Sequence, residues 1–204
     1  MDKLDFKAEL KHLYQPAAKA FVLVEVPRLD FLMVDGHGDP NTAPAYREAV
    51  EALYAVSYKL KFMSKKEQGK DYVVPPLEGL WWAQDMQAFT TLRDKSAWDW
   101  TMMIMQPDWI DQGMFAKAIE AVRKSDDRPG LSRLRLEKFH EGLSVQILHI
   151  GSYEAEAPVI TRMHAFIHES GYQPSGKHHE IYLGDPRKVP PEKLKTVLRQ
   201  PVKK

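Results

Sequence analysis

The chain has 204 residues, which is enough for one large domain or two small fused modules. Its 44% hydrophobic and 28% charged residues are typical of a globular protein, and a formal net charge of +1 gives no field that would attract DNA or an anionic membrane. The absence of cysteine excludes disulfides, thiolate nucleophiles and cysteine-ligated metal sites. We therefore expect neither a nucleic-acid nor a membrane partner.

The first half of the chain predicts strands around one long helix. Residues 3–14 carry apolar side chains at helical spacing and predict a short terminal helix. Two strand-like runs follow at 21–26 and 30–36, separated by a proline that predicts a break. A long amphipathic helix then ends near Met63. The run 98–105 is apolar on both sides, so it predicts a strand that is buried on both faces.

The second half predicts a similar order of elements. Residues 134–139 and 144–150 read as two strands with a turn between them. A helix follows over 158–170, and a glycine ends it. The segment 178–183 alternates polar and apolar residues and predicts a further strand. Residues 190–198 predict a terminal helix.

The matching order of elements suggests an internal duplication within a single domain over 1–204. The two halves cover about 20–125 and 131–186, with terminal helices at 3–14 and 190–198. We therefore predict an α+β fold of duplicated strand-strand-helix-strand modules. In this fold the modules form a curved antiparallel sheet, with the helices on one face and a ligand cleft on the other.

Two glutamates occupy matching places in the two modules. On the strand of the second half, alternation puts His178, Glu180 and Tyr182 on one side. Glu78 is the counterpart in the first half. Glutamates are mostly exposed, so a pair of surface acids is one reading. If the two acids instead line an apolar cleft, desolvation favours their neutral forms and fits them for general acid or base work, with Tyr182 or Tyr153 as a hydrogen-bond partner.

Four tryptophans are clustered in the sequence, and their role has two possible interpretations. Buried packing is the usual role of tryptophan. A ligand cage is the alternative, because neighbouring residues on a strand point to opposite faces, so Trp81 and Trp82 cannot both pack against the helices. An exposed tryptophan near a carboxylate favours flat aromatic or cationic ligands. Trp98 and Trp100 belong to the same cluster, and both interpretations, buried packing and a ligand cage, apply to them.

A metal site has little support. His164 and His168 have the i, i+4 spacing of helical metal ligands, but the glutamate of a zinc-protease helix is missing. Zinc needs three or four converging ligands, and there are no cysteines to supply them. We predict no metal and no cofactor.

Three long motifs resemble the GyrI-like small-molecule-binding family, and in particular its stand-alone bacterial members. They are the run 31–41, the segment Pro-Leu-Glu-Gly-Leu-Trp-Trp at 76–82, and the stretch 178–194 that begins His-His-Glu-Ile-Tyr-Leu. The resemblance implies the duplicated fold and a central glutamate that receives lipophilic, often cationic, molecules among aromatic side chains. By motif, Glu180 falls on that glutamate.

One subfamily is implied to hydrolyse cyclopropane-bearing DNA alkylators of the yatakemycin and duocarmycin type, and the tryptophan pair suits it. We therefore expect a detoxifying hydrolase. A non-catalytic sequestering or sensing module and a gyrase-inhibitor-like partner protein remain alternatives. The expected catalytic residues are Glu180, Glu78 and Tyr182, and the expected ligand-binding residues are Trp81, Trp82, Trp100, Tyr153 and His178.

The N-terminal residues lack the basic and apolar regions of a signal peptide, and no apolar run is long enough to span a membrane. A cytoplasmic location is therefore expected. The sequence leaves a homodimer open.

Overall fold

The structure is a computed structural model that describes residues 3–84, 94–126 and 128–204. Its helices are α1 (Phe6–Glu9), α2 (Lys11–Tyr14), α3 (Pro44–Met63), α4 (Gln112–Ser125) and α5 (Ala157–Glu169). Its strands are β1 (Val22–His37), β2 (Leu77–Trp82), β3 (Asp99–Gln106), β4 (Arg135–Ile150), β5 (Gln173–Pro174), β6 (His178–Tyr182) and β7 (Lys195–Lys203). None of the helices in these ranges combines the length and apolarity that a bilayer crossing needs.

The strands form one sheet in the order β4-β1-β3-β2-β6-β7-β5, and β4 also pairs with β7. The pairs β1–β3, β4–β7 and β6–β7 are antiparallel. The predicted α+β fold with an antiparallel sheet is thus confirmed. The predicted curved sheet is corrected, because the pairing of Ser144–Ile150 with Lys195–Pro201 closes six of the strands into a ring.

That closure depends on a segment whose secondary structure we predicted wrongly. The helix expected over 190–198 is absent: a short 3-10 turn at Pro191–Lys193 is followed by β7. The interior of β7 is buried from Thr196 to Val202. β-Branched residues favour a strand, and hydrogen-bonded neighbours on both sides outweigh the helical start signal of Pro-Pro-Glu-Lys.

β1 and β4 are each continuous over 16 residues, although a break was predicted in both. Pro27 lies on an exposed part of β1, where the missing N–H group can be tolerated. In β4 the predicted turn contains Gly142, whose φ of 75° is readily adopted only by glycine. Both residues let the strand continue where sequence rules place an end.

The chain divides into two compact units that alternate along the sequence. Unit 1 consists of Met1–Glu9, Leu29–Pro75 and Trp81–Phe139, and unit 2 of Leu10–Arg28, Pro76–Leu80 and His140–Lys204.

The core of unit 1 is built on β3, which is buried from Trp100 to Gln106. This result confirms the prediction that the strand is covered on both faces. α3 contacts β3 and α4. A close approach fixes the turn after α4, because a Cβ atom on Gly130 would lie 2.4 Å from the carbonyl oxygen of Glu48 on α3.

The core of unit 2 lies between α5 and the strands β4 and β7. Met163 and Ile167 of α5 pack in one apolar cluster whose other buried members are Val145, Ile147, Leu198 and Val202. The predicted stop of this helix is confirmed, since Gly171 has a φ of 79° directly after α5.

Candidate functional site

Four of the predicted site residues lie together in unit 2. The Tyr182 hydroxyl donates a hydrogen bond of 2.7 Å to Oε2 of Glu180. Nε2 of His178 lies 3.4 Å from Oε1 of the same carboxylate. The ring of Tyr153 meets that of Tyr182 edge to face at 5.7 Å between centroids. We call Tyr153, His178, Glu180 and Tyr182 the Glu180 group.

Local sequence explains how the Glu180 group forms. His178, Glu180 and Tyr182 share one side of β6 because they are two residues apart. Tyr153 comes from the 3-10 turn Tyr153–Ala155, which connects β4 to α5. The Tyr182 hydroxyl orients the Glu180 carboxylate. The Glu180 side chain is 14% exposed, so it still reaches the surface. Such a group can attract a cation or accept a proton.

Glu78 has a different environment, because its side chain is 1% exposed and both of its oxygens are engaged. The Tyr14 hydroxyl donates to Oε1 at 2.8 Å, and Nε2 of His179 lies 2.9 Å from Oε2. The sequence placed Glu78 as the counterpart of Glu180. The structure brings it together with Tyr14 and His179 in the interior of unit 2.

His179 stands between two carboxylates. Its Nδ1 is 3.0 Å from both oxygens of Glu141, and its Nε2 faces Glu78. A ring nitrogen donates to a carboxylate only when it carries a proton, so a carboxylate on each side of the ring favours the doubly protonated imidazolium. Burial by itself lowers the pKa of His179, but the charge and hydrogen bond of Glu141, followed by those of Glu78, raise it to about 9.

Arg199 of β7 adds a second cation. Its Nη1 donates to Oε2 of Glu141 at 3.1 Å, its Nε to the side-chain oxygen of Gln146 at 3.0 Å, and its Nη2 to the carbonyl of Leu13 at 2.7 Å. Burial alone would raise the pKa of Glu141, yet His179 and Arg199 lower it to about 2.

These contacts define what we call the buried cluster: Tyr14, Glu78, Glu141, His179 and Arg199. Two cations face two anions, so the charges balance, which is the condition under which buried ions are tolerated. The Tyr14 hydroxyl stays protonated, because burial and the neighbouring Glu78 charge raise its pKa well above the ordinary value. Tyr14 is therefore a permanent donor to Glu78.

Sequence reasoning missed four members of the buried cluster. Arg199 directly follows the segment 190–198 that we wrongly predicted as a helix, and arginine is buried only when it is paired, so the sequence alone indicates no partner for it. Glu141 was assigned to a turn and Tyr14 to the apolar stripe of a terminal helix. His179 was assigned only to the face of β6 opposite Glu180.

The predicted tryptophan site falls in unit 1, and most of it is core. Trp100 is fully buried, donates from Nε1 to the carbonyl of Gly38 at 3.2 Å, and meets Tyr46 edge to face. Trp81 is 4% exposed and stacks on Tyr46 with ring centroids 6.2 Å apart. Trp82 is half-buried. Of the three predicted ligand-binding tryptophans, it is therefore the most accessible.

The described ranges contain no group of three or more His, Cys, Asp or Glu side chains arranged to hold a metal ion. His164 and His168 both lie on α5. Burial, together with the nearby His178 and His168, lowers the pKa of His164, which favours the neutral ring.

Residues 20–203 match the family of the GyrI-like small molecule binding domain. The chain belongs to the GyrI-like family. The predicted resemblance is confirmed, and a small molecule is the partner that this family binds. The Glu180 group and most of the buried cluster lie within the GyrI-like domain, whereas Tyr14 precedes it.

Crystal structures from Listeria innocua are similar to this GyrI-like chain along its whole length. An uncharacterized conserved protein is 43% identical, with a TM-score of 0.91, and the alignment covers 98% of this chain and 100% of that one. Two structures described as a hydrolase are each 41% identical, with TM-scores of 0.86 and 0.88 and coverage of 98% and 99% of this chain and 100% of each of theirs.

A more distant structural neighbour shows the fold alone. The EcmrR C-terminal domain is 11% identical with a TM-score of 0.55, and the alignment covers 91% of this chain and 98% of that domain. No protein of curated function matches the chain.

Proposed function

We propose that this GyrI-like protein binds flat aromatic or lipophilic cationic molecules at the Glu180 group and hydrolyses cyclopropane-bearing DNA alkylators. The observation that carries the proposal is the carboxylate of Glu180, which is oriented by the Tyr182 hydroxyl beside the Tyr153 ring and reaches the surface. The hydrolase description of two relatives that are 41% identical supports it.

Binding follows from charge and aromatic surface at one place. A carboxylate attracts a cation, and the faces of Tyr153 and Tyr182 add contact area and π-electron density. The attraction is strongest where water is partly excluded, as it is around a side chain that is 14% exposed. The expected ligand is therefore flat and apolar, with a positive or electrophilic centre.

Hydrolysis would proceed by attack of water on the strained ring. The water oxygen forms a bond to a cyclopropane carbon, one ring C–C bond breaks, and its electron pair moves through the fused dienone to give a phenolate. Glu180 accepts the proton that the water loses, and this proton then converts the phenolate to the phenol. The product is the substrate plus one water. Tyr182 fixes the carboxylate and, when released from it, can donate to the developing oxyanion.

The remaining predicted residues have supporting roles in this proposal. Trp82 stays a predicted ligand-binding residue, and Trp81 and Trp100 pack in the core of unit 1. His178 borders the carboxylate of Glu180. Glu78 acts through the buried cluster, because both of its oxygens are engaged. The duplicated modules and the ligand cleft stay predictions from the sequence.

Binding without turnover is the second candidate, and the description of the family as a small-molecule-binding domain favours it. It uses the same Glu180 group to hold the ligand, with no attack by water.

Mass spectrometry of a duocarmycin-type compound incubated with the protein separates the two candidates. Hydrolysis predicts a product one water heavier than the substrate, formed by the wild type and lost in Glu180→Gln. Glu169→Gln is a matched control, since Glu169 is an exposed residue at the end of α5. Unchanged compound that is retained by the protein would favour binding alone. Turnover by Glu180→Gln at the wild-type rate contradicts the assignment of Glu180.

A further inference from the structure

The segment before the matched GyrI-like domain enters the interior of unit 2. The match begins at residue 20, and α2 (Lys11–Tyr14) precedes it. Even so, Leu13 and Tyr14 are 1% and 2% exposed. The last two residues of this short helix, which precedes the matched domain, are thus as deeply buried as the core of the domain itself.

The buried cluster holds this segment by polar contacts. Arg199 donates to the Leu13 carbonyl at 2.7 Å, and Tyr14 donates to Oε1 of Glu78 at 2.8 Å. The side-chain amide of Gln146 also donates to the carbonyl of His12. Side chains of unit 2 on three strands, β2, β4 and β7, therefore contact this one turn of helix. A helix of four residues has little stability of its own, so these contacts determine its position.

The contact from Tyr14 completes the hydrogen bonding of Glu78. Without the hydroxyl, Oε1 of Glu78 would be a buried acceptor with its partner removed, which is costly for a charged group. With it, Glu78 has one donor on each oxygen and faces His179 in a fixed orientation. His179 in turn lies directly before Glu180 on β6.

We infer that Tyr14 is a positioning residue of the ligand site. Tyr14 orients Glu78, and Glu78 together with Glu141 orients the His179 ring. The fixed ring then holds β6 so that Glu180 faces the ligand. The segment carrying α2 then contributes to ligand binding, although it precedes the matched GyrI-like domain. This inference rests on the proposed function, because Glu180 is taken as the group that meets the ligand.

Tyr14→Phe tests the inference, since it removes one hydroxyl and keeps the ring. Tyr58→Phe is the matched control, because Tyr58 is 49% exposed on α3 in unit 1. Tryptophan fluorescence quenching by rhodamine 6G, a flat aromatic cation, gives the affinity. We expect Tyr14→Phe to weaken binding by about 2- to 30-fold, the range typical of residues that act on a binding site without touching its ligand. Tyr58→Phe should bind as the wild type does.

The proton NMR signals of the His179 ring provide a readout that a packing role of Tyr14 would not move. The inference predicts that the Nε2 proton, which bonds to Glu78, shifts in Tyr14→Phe and is unchanged in Tyr58→Phe. If Tyr14→Phe does not fold, 3-fluorotyrosine at position 14 alters the hydroxyl without removing it, and it should shift the same proton and weaken binding in part.

The possible outcomes separate a failure of the proposed function from a failure of the inference about Tyr14. A wild type that does not bind the dye overturns the proposed function, and the inference fails with it. A wild type that binds, with a Tyr14→Phe variant of equal affinity, overturns the inference alone. An unchanged Nε2 signal in the folded variant also overturns it, because the path from Tyr14 to β6 runs through that proton.

Discussion

His179 and Glu180 are consecutive residues of β6 whose side chains occupy opposite environments. The His179 ring is 1% exposed and lies between Glu78 and Glu141, whereas Glu180 is 14% exposed and bonds to Tyr182. One short strand therefore joins a closed set of charges on one side to an accessible carboxylate on the other. A substitution that disturbs the charges around His179 is therefore expected to change the position of the Glu180 carboxylate.

Stability should fall in mildly alkaline solution because of His179. Its pKa is raised from 6.5 to about 9 in the folded protein, so its contribution to stability is fully present below pH 6.5 and is lost as the pH rises through 9. Urea unfolding measured across this range should show the decline. In His179→Gln the decline between these values should be much smaller, and an equal slope in both proteins would contradict the assignment.

Glu141 gives the opposite dependence in acid. Its pKa is lowered from 4.5 to about 2, so its contribution is present above pH 4.5 and is lost as the pH falls through 2. The free energy of unfolding of Glu141→Gln should vary less over this range than that of the wild type. Circular dichroism during acid titration provides the measurement, and Glu192→Gln, at an exposed position, is the control.

Breaking the buried cluster at Arg199 should be costly. Arg199→Met leaves Glu141 with one cation fewer in the core, and removing one partner of a buried ion pair typically costs about 3–5 kcal/mol. Arg187→Met should cost at most about 1 kcal/mol, since Arg187 is 84% exposed and surface ion pairs contribute little. Denaturant midpoints of the two variants provide the comparison, and similar values would show that the cluster is not a major source of stability.

Gly36 should not accept a side chain. A Cβ atom there would lie 2.0 Å from the Trp100 ring, which is fully buried and cannot move aside without repacking β3. We expect Gly36→Ala to lower the free energy of unfolding by about 1–3 kcal/mol or more, as overpacked cores do. Gly184→Ala is the control, since its added atom would be 3.5 Å from the nearest neighbour. Equal melting temperatures for the two variants would contradict the close approach.

The charge of Glu180 should select among ligands. Replacing it with glutamine removes the attraction for a cation and keeps the shape of the site, so rhodamine 6G should bind more weakly by about tenfold, or about 1.4 kcal/mol. An uncharged aromatic dye such as coumarin 153 should bind with nearly the same affinity to both proteins. Fluorescence titration of each dye gives the comparison, and an equal loss for both dyes would mean that the substitution distorts the site instead.

The parts of the site that sequence could predict are those set by local periodicity. Alternation along β6 places His178, Glu180 and Tyr182 on one side, and this information is contained in five residues. The stop of α5 at Gly171 is local for the same reason. The buried cluster is different, since Tyr14 and Glu78 are 64 positions apart and Glu78 and His179 are 101 apart.

No local pattern encodes such pairs, because each depends on which strands become neighbours. The error at 190–198 had the same origin. The sequence there begins like a helix, and only its pairing with β4 and β6 makes it a strand. The helix predicted over 190–198 replaced the first part of β7, so no predicted strand could carry Arg199 to Glu141.

The ring of pairings among β4, β1, β3, β2, β6 and β7 affects how copies of the chain can associate. Each of these strands has a hydrogen-bonded neighbour on both sides. An unpaired strand edge is the usual template for joining sheets of separate molecules, in native assemblies and in aggregates alike. A strand from another copy could join the ring only by displacing one of these pairings, so we expect a homodimer of this protein to use side-chain surfaces or the short terminal strand β5.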